Sequence, residues 1–224
     1  MEKSYLKVDN YIKEQVLNGC LKAGDRLLPE RELALLLDVS RNSVREGLRI
    51  LENMGVISSQ QGSGNYISSD FDETIVSVMS YMYVLKEMDM DQITEFRYAL
   101  EWQAMNLAIK KATENQKKRM LELVEQMSEA KTEDLRGALD KEIHYLIIES
   151  AGNEYMTTTF KALTCIMERY IHQMRDKIIL GMSNDEGLTQ VHRMIVEALV
   201  EGDLKKGIDG LKLHYQYINE YKNT

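Results

Sequence analysis

The sequence predicts a mainly α protein: three short helices and a small hairpin at the front, then an antiparallel bundle of seven longer helices. Three observations predict this. The 224 residues include one proline and 13 glycines, so few positions force a helix to stop, and the turn punctuation of an all-β sandwich is missing. Apolar residues recur at helical spacing along most of the chain. One pair of β-like runs, VISSQ and NYIS around the turn QGSG, interrupts that pattern near residue 60.

Composition narrows the function classes. With 44% apolar and 29% charged residues the chain can bury a core and is not wholly disordered. No apolar run approaches the ~18 residues of a membrane span. The N-terminus, MEKSYLKVDNYIKEQ, is charged and shows no signal peptide. Cys20 and Cys165 lie far apart and form no CxxC, so a reducing cytoplasm is expected. The net charge of −8 is unevenly placed: residues 1–69 carry nine basic and nine acidic side chains, residues 70–224 nineteen and twenty-seven. A neutral front on an acidic rear predicts two domains, 1–69 and 70–224, with different tasks.

In the front, Val8, Ile12, Val16 and Leu17 predict a helix over 4–18, ended near Gly19. Pro29 opens a second helix with Glu30 and Glu32 in its first turn, where the dipole favours acids, and Leu33, Leu36 and Leu37 as its inner face. Asp38-Val39-Ser40 breaks it. Ser40 is a good N-cap for a third helix, 41–53, closed by Gly55. Three short helices and a hairpin make the winged helix-turn-helix plan. On the third helix, Val44, Leu48 and Leu51 form a buried stripe, while Asn42, Arg45 and Arg49 share another face. Long donors on that face suit a DNA major groove. The plainer alternative is an amphipathic helix with a solvated basic side.

The stretch GDRLLPERELALLLDVSRNSVREGLRILENMGVISSQQGSGNYI resembles the winged-helix domain of the GntR family of bacterial transcription regulators, over about 45 residues. The resemblance implies binding of palindromic double-stranded operator DNA as a homodimer. It places Arg31, Arg41 and Arg45 at the DNA, Asn42 and Ser43 at the start of the recognition helix, and Gly62 and Gly64 at the wing tip; Arg49 joins them from the helix-face reading. Two departures stand out. The usual Leu-Pro-Ser is Leu-Leu-Pro here, which removes a cap serine at a cost of about 1 kcal/mol. Gln60 stands where the wing commonly carries an arginine.

The rear predicts helices over 71–86, 91–112, 114–130, 132–150, 153–180, 185–201 and 203–222, capped at Asp91, Thr113, Thr132, Asn184 and Asp203. Short connections predict antiparallel neighbours. Met79, Met82, Met105, Met167 and Trp102 are expected in the core.

The chain has four histidines. Asp140 and His144 are spaced i, i+4 and share a helix face. His192 and His214 flank the Gly202-Asp203 turn, at roughly 15 and 18 Å from it at helical rise, so a hairpin brings them to one level. One carboxylate and three imidazoles suit a divalent ion, zinc first, nickel or another transition metal next. His172 has no partner at such a spacing. Arg97 falls in the inward stripe Ile93, Phe96, Leu100, Ala104 and Leu107, with Glu101 one turn on. Two readings are open: a structural Arg97–Glu101 pair, or an effector-binding Arg97 that grips a carboxylate.

The runs DKEIH, QVHRMIVEALVEGDLKKG and LKLH resemble the FCD effector domain of the FadR subfamily. The resemblance implies metal ligands at Asp140, His144, His192 and His214 and an effector pocket lined by Arg97. Together these expectations describe a DNA-binding regulator, by resemblance a repressor, controlled by a small carboxylate such as a sugar acid or hydroxy acid at a divalent metal. The alternatives are a helical metalloenzyme, or a regulator with a metal-free pocket of the acyl-CoA type.

Overall fold

The structure is a computed structural model that describes residues 3–87, 89–181 and 186–221. The chain folds as α1 (Ser4–Leu17), α2 (Glu30–Leu36), α3 (Arg41–Asn53), β1 (Ile57–Gln60) and β2 (Gly64–Ile67). Then come α4 (Asp72–Leu85), α5 (Met90–Lys111), α6 (Glu114–Glu129), α7 (Glu133–Ser150), α8 (Glu154–Gly181), α9 (Glu186–Glu201) and α10 (Leu204–Tyr221). Two compact units result, Met1–Ser77 and Val78–Thr224. This division lies inside α4, whose first turn comes close to the end of α3: a Cβ on Gly55 would lie 2.6 Å from Thr74 Oγ1.

In the front unit, Ser40 caps α3 by accepting from the Ser43 backbone N–H at 3.1 Å. Gly55 ends that helix in the left-handed region, φ 70°. Pro29 occupies the N-cap of α2 with no side-chain cap bond, as the missing serine implies, and Asp38 turns the chain at φ 51°. The core joins Val8, Ile12, Leu33, Val44, Leu48 and Leu51 to Ile57 and Ile67 of the hairpin. β1 and β2 pair antiparallel, with Ile57 opposite Ile67 and Gln60 opposite Gly64. The segment before α2 adds to the outer edge of β2: Leu27 donates to Asn65 O and Ile67 to Asp25 O, both at 2.8 Å. Three expected inner positions face out. Val16 and Leu17 lie in the last turn of α1 and are exposed. The inner face of α2 is Leu33, Ala34 and half-buried Leu37, while Leu36 is exposed.

In the rear unit, Thr113 and Gln116 form a reciprocal capping box on α6, and Thr132 caps α7. Asp203 accepts from Lys206 N at 3.0 Å at the start of α10. The cap of α5 is Asp89, which accepts from Asp91 N at 2.9 Å, and not Asp91. Asn184 and the side chain of His172 lie outside the described residues. The core is built from Met105, Met120, Leu123, Ile143, Phe160 and Ile195 with their neighbours. Close helix approach depends on Gly210, whose Cβ would sit 2.9 Å from Ile195 Cγ1. Met105 and Met167 are core residues as expected, but Met82 and Trp102 are exposed. Phe96 is exposed too, so the inner face of α5 is Ile93, Arg97, Glu101, Ala104, Met105 and Ala108.

Candidate functional site

Two groups of residues have the chemistry to act, one in each unit. In the front, burial of Val44, Gly47, Leu48 and Leu51 against α1 leaves the opposite side of α3 free. Arg41, Asn42, Arg45 and Arg49 are all exposed there, and Ser43 is half-buried beside the Ser40 cap. Arg31 is exposed on α2. Arg45 pairs with Glu30 at 2.8 Å, but the arginine is 62% exposed, and such pairs are weak enough to exchange for a phosphate or a base edge. Gly62 (φ 77°) and Gly64 (φ 115°) shape the turn between the strands in a conformation that side chains with a Cβ rarely adopt. Beside the turn lies a basic residue that the helical periodicity does not mark. Arg26 is exposed and bridges to Tyr66, and a Cβ on Gly64 would stand 3.3 Å from its Nε.

In the rear, α7, α9 and α10 each deliver one histidine to the same buried spot. His144 and His192 are fully buried and His214 is nearly so. One ligating atom from each lies within 4.8 Å of the others. The ring centroids are 4.7–5.3 Å apart. Asp140 closes the cage: Oδ1 lies 3.4 Å from His144 Nε2, and Oδ2 lies 3.4 Å from His192 Nε2. The i, i+4 spacing and the hairpin argument thus brought all four side chains together.

The outer nitrogens of two rings are fixed. His144 Nδ1 meets Glu101 Oε2 at 2.5 Å, and His192 Nδ1 meets the Leu188 carbonyl at 2.8 Å. A proton on each Nδ1 would leave each Nε2 lone pair toward the centre, where the two Nε2 atoms lie 3.3 Å apart. His214 Nδ1 is buried with no hydrogen-bond partner among the described residues. Glu101 also accepts from Arg97 Nε at 2.9 Å and from the Tyr215 hydroxyl at 2.8 Å. Arg97 and Glu101 are therefore paired. The pair is not isolated, because Glu101 ties Arg97 to the cage. Arg97 also lies over the Phe160 ring, 5.0 Å from its centroid.

Three residues escaped the sequence argument. Tyr215 holds Glu101. Arg175 donates to Asp140 through Nη1 and to Glu133 through Nη2, the latter at 3.2 Å. Glu133 is the third. No spacing rule links Arg175 to Asp140 across two helices.

The electrostatics follow from burial and these contacts. Burial alone would raise the Asp140 carboxyl, yet His192 and Arg175 hold it well below the usual value. Burial would likewise raise Glu101, but His144 and Arg97 beside it keep it ionised. Burial pushes His214 well below the ordinary imidazole value, and its two neighbouring histidines push the same way, so the ring is neutral. Burial and Glu101 push the Tyr215 phenol well above its usual value, so it stays a proton donor.

The sequence profile described as bacterial regulatory proteins, gntR family, matches residues 4–67. The FCD domain profile matches residues 92–217, more than half of the chain. The chain belongs to the GntR family of bacterial regulators. Its rear unit is an FCD domain. A relative in Escherichia coli (strain K12), provisionally named an L-lactate dehydrogenase operon regulatory protein, is 27% identical over 203 residues, 89% of this chain and 78% of the relative. The HTH-type transcriptional regulator LutR of Bacillus subtilis is 26% identical over 190 residues, 84% of this chain and 87% of LutR. Among solved structures, Streptococcus agalactiae GntR superposes with a TM-score of 0.62 at 25% identity, covering 97% of this chain and 99% of that one. These are transcription regulators, so the chain is a DNA-binding regulator and the metalloenzyme alternative is set aside. No helix among the described residues is long and apolar enough to cross a membrane.

Proposed function

We propose that this regulator binds a palindromic operator as a homodimer and that a small hydroxycarboxylate, held at a divalent metal in the FCD domain, lowers its operator affinity. Arg31, Arg41, Asn42, Ser43, Arg45 and Arg49 would contact DNA, with Gly62 and Gly64 shaping the wing. Asp140, His144, His192 and His214 would hold the metal.

The observation that carries the sensor half is the convergence of three buried imidazoles and one buried carboxylate. The donors fit a divalent ion. Two Nε2 atoms face each other across the centre, His214 is neutral with an orphaned buried nitrogen, and the mixed nitrogen and carboxylate set suits zinc first and nickel next. When bound, such an ion supplies a positive charge that attracts carboxylate and hydroxyl oxygens. The chain itself supplies the orientation. Glu101 and the Leu188 carbonyl hold the His144 and His192 rings, Tyr215 steadies Glu101, and Arg97 adds a guanidinium beside the cage. The same polar filling speaks against a metal-free acyl-CoA pocket, which needs an apolar hollow. The operon name of the Escherichia coli relative favours a hydroxy acid of the lactate type as effector.

Thermal unfolding tests this. Zinc-loaded and metal-free protein are melted with L-lactate, glycolate, gluconate and acetate. A hydroxy acid is expected to raise the melting temperature of the zinc form alone, by several degrees at saturating concentration, and then to release bound DNA. Equal shifts in the metal-free protein or in His192→Ala would contradict the reading.

A further inference from the structure

We infer that Arg175 is the resident counter-ion of the histidine cage and sets its metal affinity by competing for Asp140. The inference rests on the proposal that the cage holds a divalent metal. Arg175 reaches in from α8 and is 5% exposed. Its Nη1 donates to Asp140 Oδ2, the same oxygen that stands 3.4 Å from His192 Nε2. A cation among the rings and a guanidinium on that oxygen are therefore rivals for one charge. A buried carboxylate without a cation is costly, so in a metal-free cage the arginine neutralises it. A divalent ion close by would repel the arginine and take over that task.

The structure gives the displaced guanidinium somewhere to go. Its Nη2 already donates to Glu133 Oε2 at 3.2 Å, in the first turn of α7, and Glu133 is 29% exposed, so this second partner is open to water. Arg175 Nε is buried without a partner among the described residues. A purely structural arginine would be expected to have that donor satisfied as well. Among the described residues Arg175 is held through two carboxylates, one in the cage and one at its rim, and a small shift trades the first for the second.

The test is an equilibrium zinc titration of the full chain against a competing chromophoric chelator, with circular dichroism on the same samples. Arg175→Gln removes the rival and is expected to bind zinc roughly tenfold more tightly or better. Its metal-free form should melt below the wild type, and zinc should close that gap. Arg175→Lys keeps the charge and is expected to stay near the wild-type affinity. Glu133→Gln removes the resting place, presses the arginine onto Asp140 and is expected to weaken zinc binding. A structural role alone predicts lower stability with no tighter zinc, so unchanged or weaker zinc binding by a folded Arg175→Gln protein overturns the inference. If metal-free Arg175→Gln does not fold, Glu133→Gln decides, and unchanged affinity there overturns it equally. A wild type that takes up no zinc fails the metal proposal and this inference together. A wild type that takes up zinc beside an insensitive Arg175→Gln fails the inference alone.

Discussion

Arg45 holds Glu30 at 2.8 Å on a surface where both are solvated, so its loss leaves the fold intact and removes a donor from the face turned away from the core. Arg45→Ala is expected to weaken binding to a selected operator fragment by about 1–3 kcal/mol while light scattering shows an unchanged oligomeric state. Unaltered binding would count against α3 as the reading helix. His214 carries a prediction of the opposite kind, set by burial. Its folded value lies well below the ordinary 6.5, so on acidification the unfolded chain takes the proton first. Stability of the metal-free protein should therefore fall as pH drops below about 6.5, at up to about 1.4 kcal/mol per pH unit for this one group. Denaturant titrations between pH 7 and pH 5 should show the decline, and His214→Asn should flatten it. A wild-type profile that is level or rises toward pH 5 would contradict a ring held neutral by burial.

Element boundaries were legible wherever a cap or a left-handed glycine marks them. Ser40, Thr113, Thr132, Gly55 and Gly202 stand where the helix ends require them. Inner faces were less legible, because periodicity cannot tell where a helix outruns its partner. Val16 and Leu17 continue the stripe of α1 into its last turn and are exposed there, and Phe96 and Trp102 are apolar residues on the exposed side of α5. The cage was legible in its ligand types, since Asp140 and His144 share a face and the α9–α10 turn aligns His192 with His214. Arg175 and Tyr215 were not, because contacts between distant helices leave no spacing to read. Packing of α1 on α3 also depends on Gly47, where a Cβ would lie 2.7 Å from Val8 Cβ and 3.0 Å from the Tyr5 carbonyl. Alanine there gains about 1 kcal/mol in helix propensity but meets backbone that cannot yield. Gly47→Ala is expected to lose about 1–2 kcal/mol net in chemical denaturation, and a more stable variant would show that α1 and α3 are less closely packed than described.

At the scale of the whole molecule, a near-neutral DNA-binding unit is joined to an acidic FCD domain, and any coupling between them is thermodynamic. An effector changes operator affinity only as far as it binds the DNA-competent and DNA-released states differently, and the effect is reciprocal. Metal affinity should depend on pH, because all three imidazoles must be unprotonated to serve. The sensor half stands on one physical claim, that a divalent ion sits among Asp140, His144, His192 and His214. X-ray diffraction from zinc-loaded crystals, recorded on both sides of the zinc absorption edge, tests it most directly. The account predicts an anomalous peak in each chain at the centre of the three buried rings, absent from His192→Ala; a wild-type map with no peak there, or with peaks only at surface residues, would contradict it.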